Sequence, residues 1–214
     1  MNFIKKNIWW LGILFCLLVF GLLAVCVHFD KFQNFDTEIH DIILMIDFPL
    51  VSGFWMVITT LANPIFIILL LIILLLIINN KKYGLLMVFN TINILFLNQI
   101  LKLLFSRPRP FELMLIEETG YSFPSGHAML SLAFYGFLIY IVWKVNLSKM
   151  VKKILTAFLI ILILLIGVSR IYLGVHYPSD ILGGFAISLV YLIIFIKLVK
   201  KYDVGSDKVE KSLQ

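Results

Sequence analysis

The chain has 214 residues, of which 62% are apolar and only 14% charged, with a mean hydropathy of +1.05. Soluble chains carry about half apolar and a quarter charged residues, so this composition excludes a soluble domain and makes the bilayer the solvent. A hydrocarbon core of roughly 30 Å takes about 20 apolar residues per helix, so the length holds five to seven spans in one domain. The formal charge of +6 calls for no nucleic-acid partner, because lysines in a membrane protein first report orientation.

In chain order, apolar runs of spanning length fall at 8–27, 54–78, 85–104, 127–143, 154–172 and 181–199. The expected fold is all-α, an integral membrane bundle of six transmembrane helices over residues 1–202, followed by a polar tail over 203–214. Lys5 and Lys6 precede the first run, which is too long for a cleaved secretory signal and reads as a retained span. Leu23-Ala24-Val25-Cys26 departs from a lipoprotein processing site through its bulky Val25. Cys16 and Cys26 lie on one helix about 15 Å apart by helical rise, too far to bridge.

Between the first two runs, Phe35 to Phe48 alternates acids with apolar residues at helical spacing, which predicts an amphipathic helix on the membrane surface. Its acids Asp36, Glu38, Asp41 and Asp47, with Asp30 before them, show no metal-ligand spacing and read as structural or solvated; no metal and no cofactor is expected. His28 and His40 read as interfacial polar groups, and Trp9, Trp10, Trp55 and Trp143 as interfacial belts. In the second run Asn63-Pro64 predicts a kink whose freed carbonyl needs a partner inside the bundle.

Lysines choose the orientation. Lys5, Lys6, Lys81, Lys82, Lys144, Lys149, Lys152, Lys153, Lys197, Lys200 and Lys201 all fall on one side of a six-span chain, which places both termini in the cytoplasm. Lys102, Arg107, Arg109 and Arg170 run against this bias. A cation at a span centre costs roughly 2.5–3.5 kcal/mol on insertion scales, less at its ends, so an anion on the outer side is expected to offset them.

Those cations sit in two of three motifs that lie at outer helix ends. The first runs from Lys102 through Arg107, Pro108 and Arg109 to Pro110; the second is Pro124-Ser125-Gly126-His127; the third comprises Ser169-Arg170, His176 and Asp180. Phosphoryl transfer spreads charge over equatorial oxygens, so its catalysis is mostly positioning and cationic clamping. Lys102, Arg109 and Arg170 are suited to that clamp, arginine forks binding two oxygens at once. Ser125 adds a hydroxyl, and Gly126 at a helix start lets backbone N–H groups approach an anion.

The set resembles the three-part signature of the type 2 phosphatidic acid phosphatases, or lipid phosphate phosphatases, which share it with soluble vanadium haloperoxidases and bacterial acid phosphatases. It reads K-x6-R-P, P-S-G-H and S-R-x5-H-x3-D, and all eleven fixed positions are met between Lys102 and Asp180. The resemblance implies a haloperoxidase-like helical core and a phosphohistidine mechanism. By it, His176 is the nucleophile, Asp180 orients it, and His127 protonates the leaving group and then activates water. Arg107 lies beside the fixed positions, equally suited to a lipid head group and to phosphate, and so ranks below Arg109; Ser169 adds a hydroxyl within the third motif.

The expected activity is hydrolysis of a lipid phosphate or diphosphate at the outer membrane face. The substrate is a phospholipid such as phosphatidylglycerophosphate or phosphatidate, or a polyprenyl phosphate such as undecaprenyl diphosphate. A lipid-binding or translocating protein without turnover, and a lipid phosphotransferase, are the rival readings.

Overall fold

The computed structural model describes residues 2–45, 49–77, 80–110 and 114–212, with side chains over 7–45, 50–77, 80–110 and 114–201. Eight helices occupy the described residues: α1 (Asn2–His28), α2 (Gln33–Leu44), α3 (Pro49–Thr60), α4 (Pro64–Ile77), α5 (Lys81–Phe105), α6 (Gly126–Lys144), α7 (Lys149–Tyr172) and α8 (Pro178–Ser212). Five of them, α1, α5, α6, α7 and α8, are long and apolar enough to cross a membrane. The pair α3 and α4, bent by 55° at a short break, makes a sixth when taken as one span.

That break is the kink expected at Asn63-Pro64. Proline lacks an N–H and ends the α-ladder, so the chain tightens into i→i+3 bonds, Ala62 N–H to Thr59 and Asn63 N–H to Thr60. The Asn63 side chain then accepts from the Ile65 N–H at 2.9 Å and opens α4. The freed Leu61 carbonyl finds its partner in the bundle, accepting from the Tyr135 hydroxyl of α6 at 2.5 Å.

Helix α6 lies at the centre, packed against α5, α7 and α8, while α1 runs along α8 and α3 along α7. Its Met129, Ala133, Phe134 and Phe137 are fully buried. Phe15, Leu18 and Leu22 of α1, by contrast, are 66%, 63% and 64% exposed, as a lipid-facing surface requires.

The two ends of the bundle differ in charge. Lys197 lies 3.8 Å over the Trp10 ring and Lys200 near Trp9, while Lys81 and Lys152 donate to the Leu75 and Trp143 carbonyls. This is the lysine end, with its aromatic belt. The opposite end gathers the end of α5, the starts of α6 and α8, and the end of α7, and all three motifs lie there.

Helix α2 covers that end, touching α7 and α8. It occupies much of the predicted surface segment; Asp47 and Phe48 lie outside the described residues. The predicted amphipathic face is present, with Ile43 and Leu44 turned toward the bundle, but Asp36 and His40 are buried on the same face. His40 therefore departs from the interfacial reading, being 4% exposed, whereas His28 is exposed against Phe29.

One close contact holds the site end to the bundle. A Cβ on Gly183 of α8 would lie 2.6 and 2.8 Å from the Phe123 ring. That ring is fully buried, stacked on Phe20 and edge-on to Phe105, so it has nowhere to move. Gly183→Ala is expected to destabilise the detergent-solubilised protein by about 1–3 kcal/mol. Gly21→Ala, with nothing within 4 Å of its Cβ, should leave the thermal unfolding midpoint unchanged or slightly raised. Equal shifts in the two variants would contradict this packing.

Candidate active site

The end of α7 and the start of α8 build the centre of the site. The chain turns back on itself after Tyr172, with the N–H groups of Val175 and His176 both donating to the Arg170 carbonyl. Pro178 opens α8, where its missing N–H costs nothing. Asp180, two residues on, reaches back to accept from the Tyr177 N–H at 2.9 Å, a capping-box contact that fixes its backbone.

Asp180 is fully buried and collects donors on both oxygens. Arg107 Nη1 donates to Oδ1 at 2.6 Å, and the Ser122 hydroxyl donates to Oδ2. His176 Nδ1 lies 3.3 Å from Oδ2, and its Nε2 lies 3.3 Å from Arg109 Nη1. A guanidinium has no acceptor, so the lone pair belongs on Nε2 and the proton on Nδ1, facing the carboxylate. Burial pulls the His176 pKa down to about 4, with Asp180 opposing and Arg109 and Arg170 adding to the fall. The imidazole is therefore neutral at pH 7, with Nε2 unprotonated.

Arginines stand close to this histidine. Arg109, 4% exposed, donates through Nε to Gly120 and through its two Nη groups to Val175 and Thr119, so much of its fork serves to hold the loop against His176. Arg170 donates to Thr59 of α3 at 2.7 Å and to the Glu118 carboxylate, while its buried Nε has no acceptor among the described residues. Glu118 also lies 3.7 Å from Arg109; burial would raise its carboxyl pKa, but the two guanidiniums hold it below the usual range. Half-buried Lys102, one turn from the end of α5, lies within Coulombic reach of Arg109, Arg170, Glu118 and Asp180.

The second motif supplies a helix start. Ser125 caps α6, its hydroxyl accepting from the Ala128 N–H, and its own N–H donates to the Asp180 carbonyl, tying α6 to α8. Packing is tight at Gly126, where a Cβ would lie 3.0 Å from Asn98 Oδ1 of α5. Asn98 in turn donates to the Pro124 carbonyl, so α5 positions the loop that presents His127. The first N–H groups of α6 have no intrahelical acceptor, which suits them to an anion. His127 is half-buried and senses Arg170, His176, Lys102 and Arg109.

Two sequence-predicted residues have other partners. Ser169 is buried and returns its hydroxyl to the Ile166 carbonyl of its own helix. Arg107, ranked below Arg109 from sequence, is spent on protein groups: Nη2 on Asp36 at 2.8 Å, Nη1 on Ser179 and Asp180, and the guanidinium 4.0 Å above the Tyr177 ring. Sequence reasoning missed Asp36, Ser122, Glu118, Thr59 and Asn98. Most of their contacts span 26 to 143 residues of sequence, such as Asn98 to Pro124 and Asp36 to Ser179. Among the described residues no cluster of three His, Cys, Asp or Glu is arranged to hold a metal ion.

The profile of the PAP2 superfamily matches residues 83–203, which include all three motifs. Phosphatidylglycerophosphatase B of Bacillus subtilis is 35% identical over 193 residues, covering 87% of this chain and 92% of the relative. An undecaprenyl-diphosphatase of Sulfolobus acidocaldarius is 32% identical over 110 residues, 49% of each chain. The crystal structure of the PAP2-type phosphatidylglycerolphosphate phosphatase from Bacillus subtilis superposes with a TM-score of 0.82 at 29% identity, covering 89% of this chain and 96% of the other.

The environment of His176 has a measurable consequence. An unfolded histidine titrates near 6.5, so a folded value of about 4 means the unfolded state binds more protons between those limits, and stability falls as pH drops through them. Histidine-selective 15N NMR in detergent micelles should show one imidazole, lost in His176→Ala, that stays neutral from pH 8 to about pH 5. Protonation of that ring near pH 6.5 would contradict its burial.

Proposed function

Since the chain belongs to the PAP2 superfamily, a membership carried by the match over 83–203 and by a relative aligned along nearly its whole length, we propose that His176 is the nucleophile of a membrane lipid phosphatase. The observation that carries this reading is the buried His176–Asp180 pair, with Arg109 against His176 Nε2 and with Arg170, Lys102 and His127 within electrostatic range of the same cluster.

In this mechanism the phosphate oxygens lie against Lys102, Arg170, Arg109 and the first N–H groups of α6, with Ser125 holding that helix start in place. Nε2 of His176 attacks phosphorus, the P–O bond to the lipid leaving group breaks, and His127 supplies the proton that oxygen needs. The proton on Nδ1 stays between His176 and Asp180, whose negative charge stabilises the imidazole as it acquires a phosphoryl group. Water, deprotonated by His127, then attacks the phosphohistidine. The P–N bond breaks, and phosphate leaves with both histidines restored.

The lysine end is assigned to the cytoplasm, with both termini, and the site end to the outer face. The substrate class favoured is a lipid phosphate monoester of the phosphatidylglycerophosphate or phosphatidate kind, because the Bacillus subtilis phosphatidylglycerophosphatase B aligns over 92% of its length. A polyprenyl diphosphate is the second reading, supported by the undecaprenyl-diphosphatase similarity over half of each chain.

Phosphate release from the purified protein in a metal chelator, on phosphatidylglycerophosphate, phosphatidate and undecaprenyl diphosphate, tests both levels. Wild type is expected to release free phosphate, and His176→Ala to lose at least about a hundredfold in kcat. No difference between the two would leave a lipid-binding protein without turnover, and phosphorylated products in place of free phosphate would identify a phosphotransferase. The lipid with the highest kcat/KM identifies the preferred tail and head group.

A further inference from the structure

Asp36 is a residue that neither the motifs nor the mechanism uses, yet it is 1% exposed on a helix at the membrane surface. Burying an ionised carboxylate is costly unless it is paired and hydrogen-bonded. Asp36 is both. Its Oδ1 accepts from the Ser179 N–H at 2.9 Å, and its Oδ2 accepts from the Ser179 hydroxyl at 2.7 Å and from Arg107 Nη2 at 2.8 Å. One carboxylate from α2 thus satisfies a free N–H of the first turn of α8 and holds one arm of Arg107.

The other arm of Arg107 points to Asp180. Nη1 reaches Asp180 Oδ1 at 2.6 Å and the Ser179 hydroxyl at 2.8 Å, while Asp180 Oδ2 faces His176. A carboxylate is planar, so fixing Oδ1 fixes the direction in which Oδ2 meets the imidazole. Arg107 has a long flexible side chain, and alone it would hold Oδ1 loosely. Gripped by Asp36 on one arm and stacked on Tyr177, the guanidinium becomes a rigid bridge between two buried acids.

We propose that Asp36 is a positioning residue for the phosphatase reaction, holding the His176–Asp180 pair in register through the Arg107 bridge. The inference rests on the reading of His176 as nucleophile. It gives the surface helix α2 a part in catalysis, although no residue of α2 touches the phosphate.

A double-mutant cycle separates positioning from a general structural role. Asp36→Asn keeps the shape but removes the charge that grips Arg107, and it should lower kcat about tenfold with KM within about twofold. Asp180→Asn should cost more, and the double variant should be no slower than Asp180→Asn alone within about twofold, because the bridge then has nothing left to orient. Arg107→Lys, which keeps a positive charge but cannot span both carboxylates, should reproduce the tenfold loss in kcat, and it serves as the test where Asp36→Asn does not fold.

Wild-type kcat in Asp36→Asn or Arg107→Lys would overturn the proposal. So would a double variant a further tenfold below Asp180→Asn, since additive losses mean that Asp36 acts elsewhere. Wild type that releases no more phosphate than His176→Ala would instead remove the underlying phosphatase reading, and this inference with it.

Discussion

The site depends on the pairing of buried charge at one end of an apolar bundle. Four cations, Lys102, Arg107, Arg109 and Arg170, stand where the surrounding helices are built for lipid, and two of them, Arg109 and Arg170, are at most 4% exposed. The three arginines are held there by three carboxylates, Asp36, Glu118 and Asp180, each from a different part of the chain. An unpaired buried charge costs several kcal/mol, so these contacts decide where the helix ends can lie as much as apolar packing does. The bundle brings the motifs to one end; the ion pairs set them in register.

Apolar packing and polar contacts cooperate at every junction of the site. Asn98 ties α5 to the loop before α6, Ser125 ties that loop to α8, and Thr59 ties α3 to Arg170. Each is a polar side chain or backbone group inside a membrane protein, where an unmade hydrogen bond has no water to replace it. A helix that slipped by one residue would lose such a bond outright. This makes the polar contacts a stricter constraint on geometry than their individual energies imply.

Much of this was legible in the sequence. Six apolar runs predicted the spans, and the Asn63-Pro64 pair predicted the broken one together with its need for a carbonyl partner, supplied by Tyr135. Of the motif residues, Arg109 and Asp180 lie against His176 and Ser125 ties the start of α6 to Asp180, while Ser169 turns to its own helix. Partnership was less legible. Asp36 looked like any acid on a surface helix, since hydrophobic periodicity shows which face is apolar and says nothing of a single acid buried within it. Arg107 looked optional beside Arg109, because spacing from Lys102 cannot show that its guanidinium lies between α2 and α8. Glu118 belongs to a loop without periodicity, and only the folded chain places it between two arginines.

The three carboxylates are not equivalent, and the difference lies in what each of them holds. Asp36 and Asp180 have side chains 1% and 0% exposed, and each is tied to the first turn of α8. Displacing either would unpack a helix start. Glu118 has 28% of its side chain exposed, sits on a loop, and pairs with the guanidiniums of Arg170 and Arg109. With all seven groups ionised the cluster carries one net positive charge. The fixed acids therefore hold the start of α8 and the guanidinium beside it in place, whereas Glu118 is the counter-charge carried by a loop and by no helix.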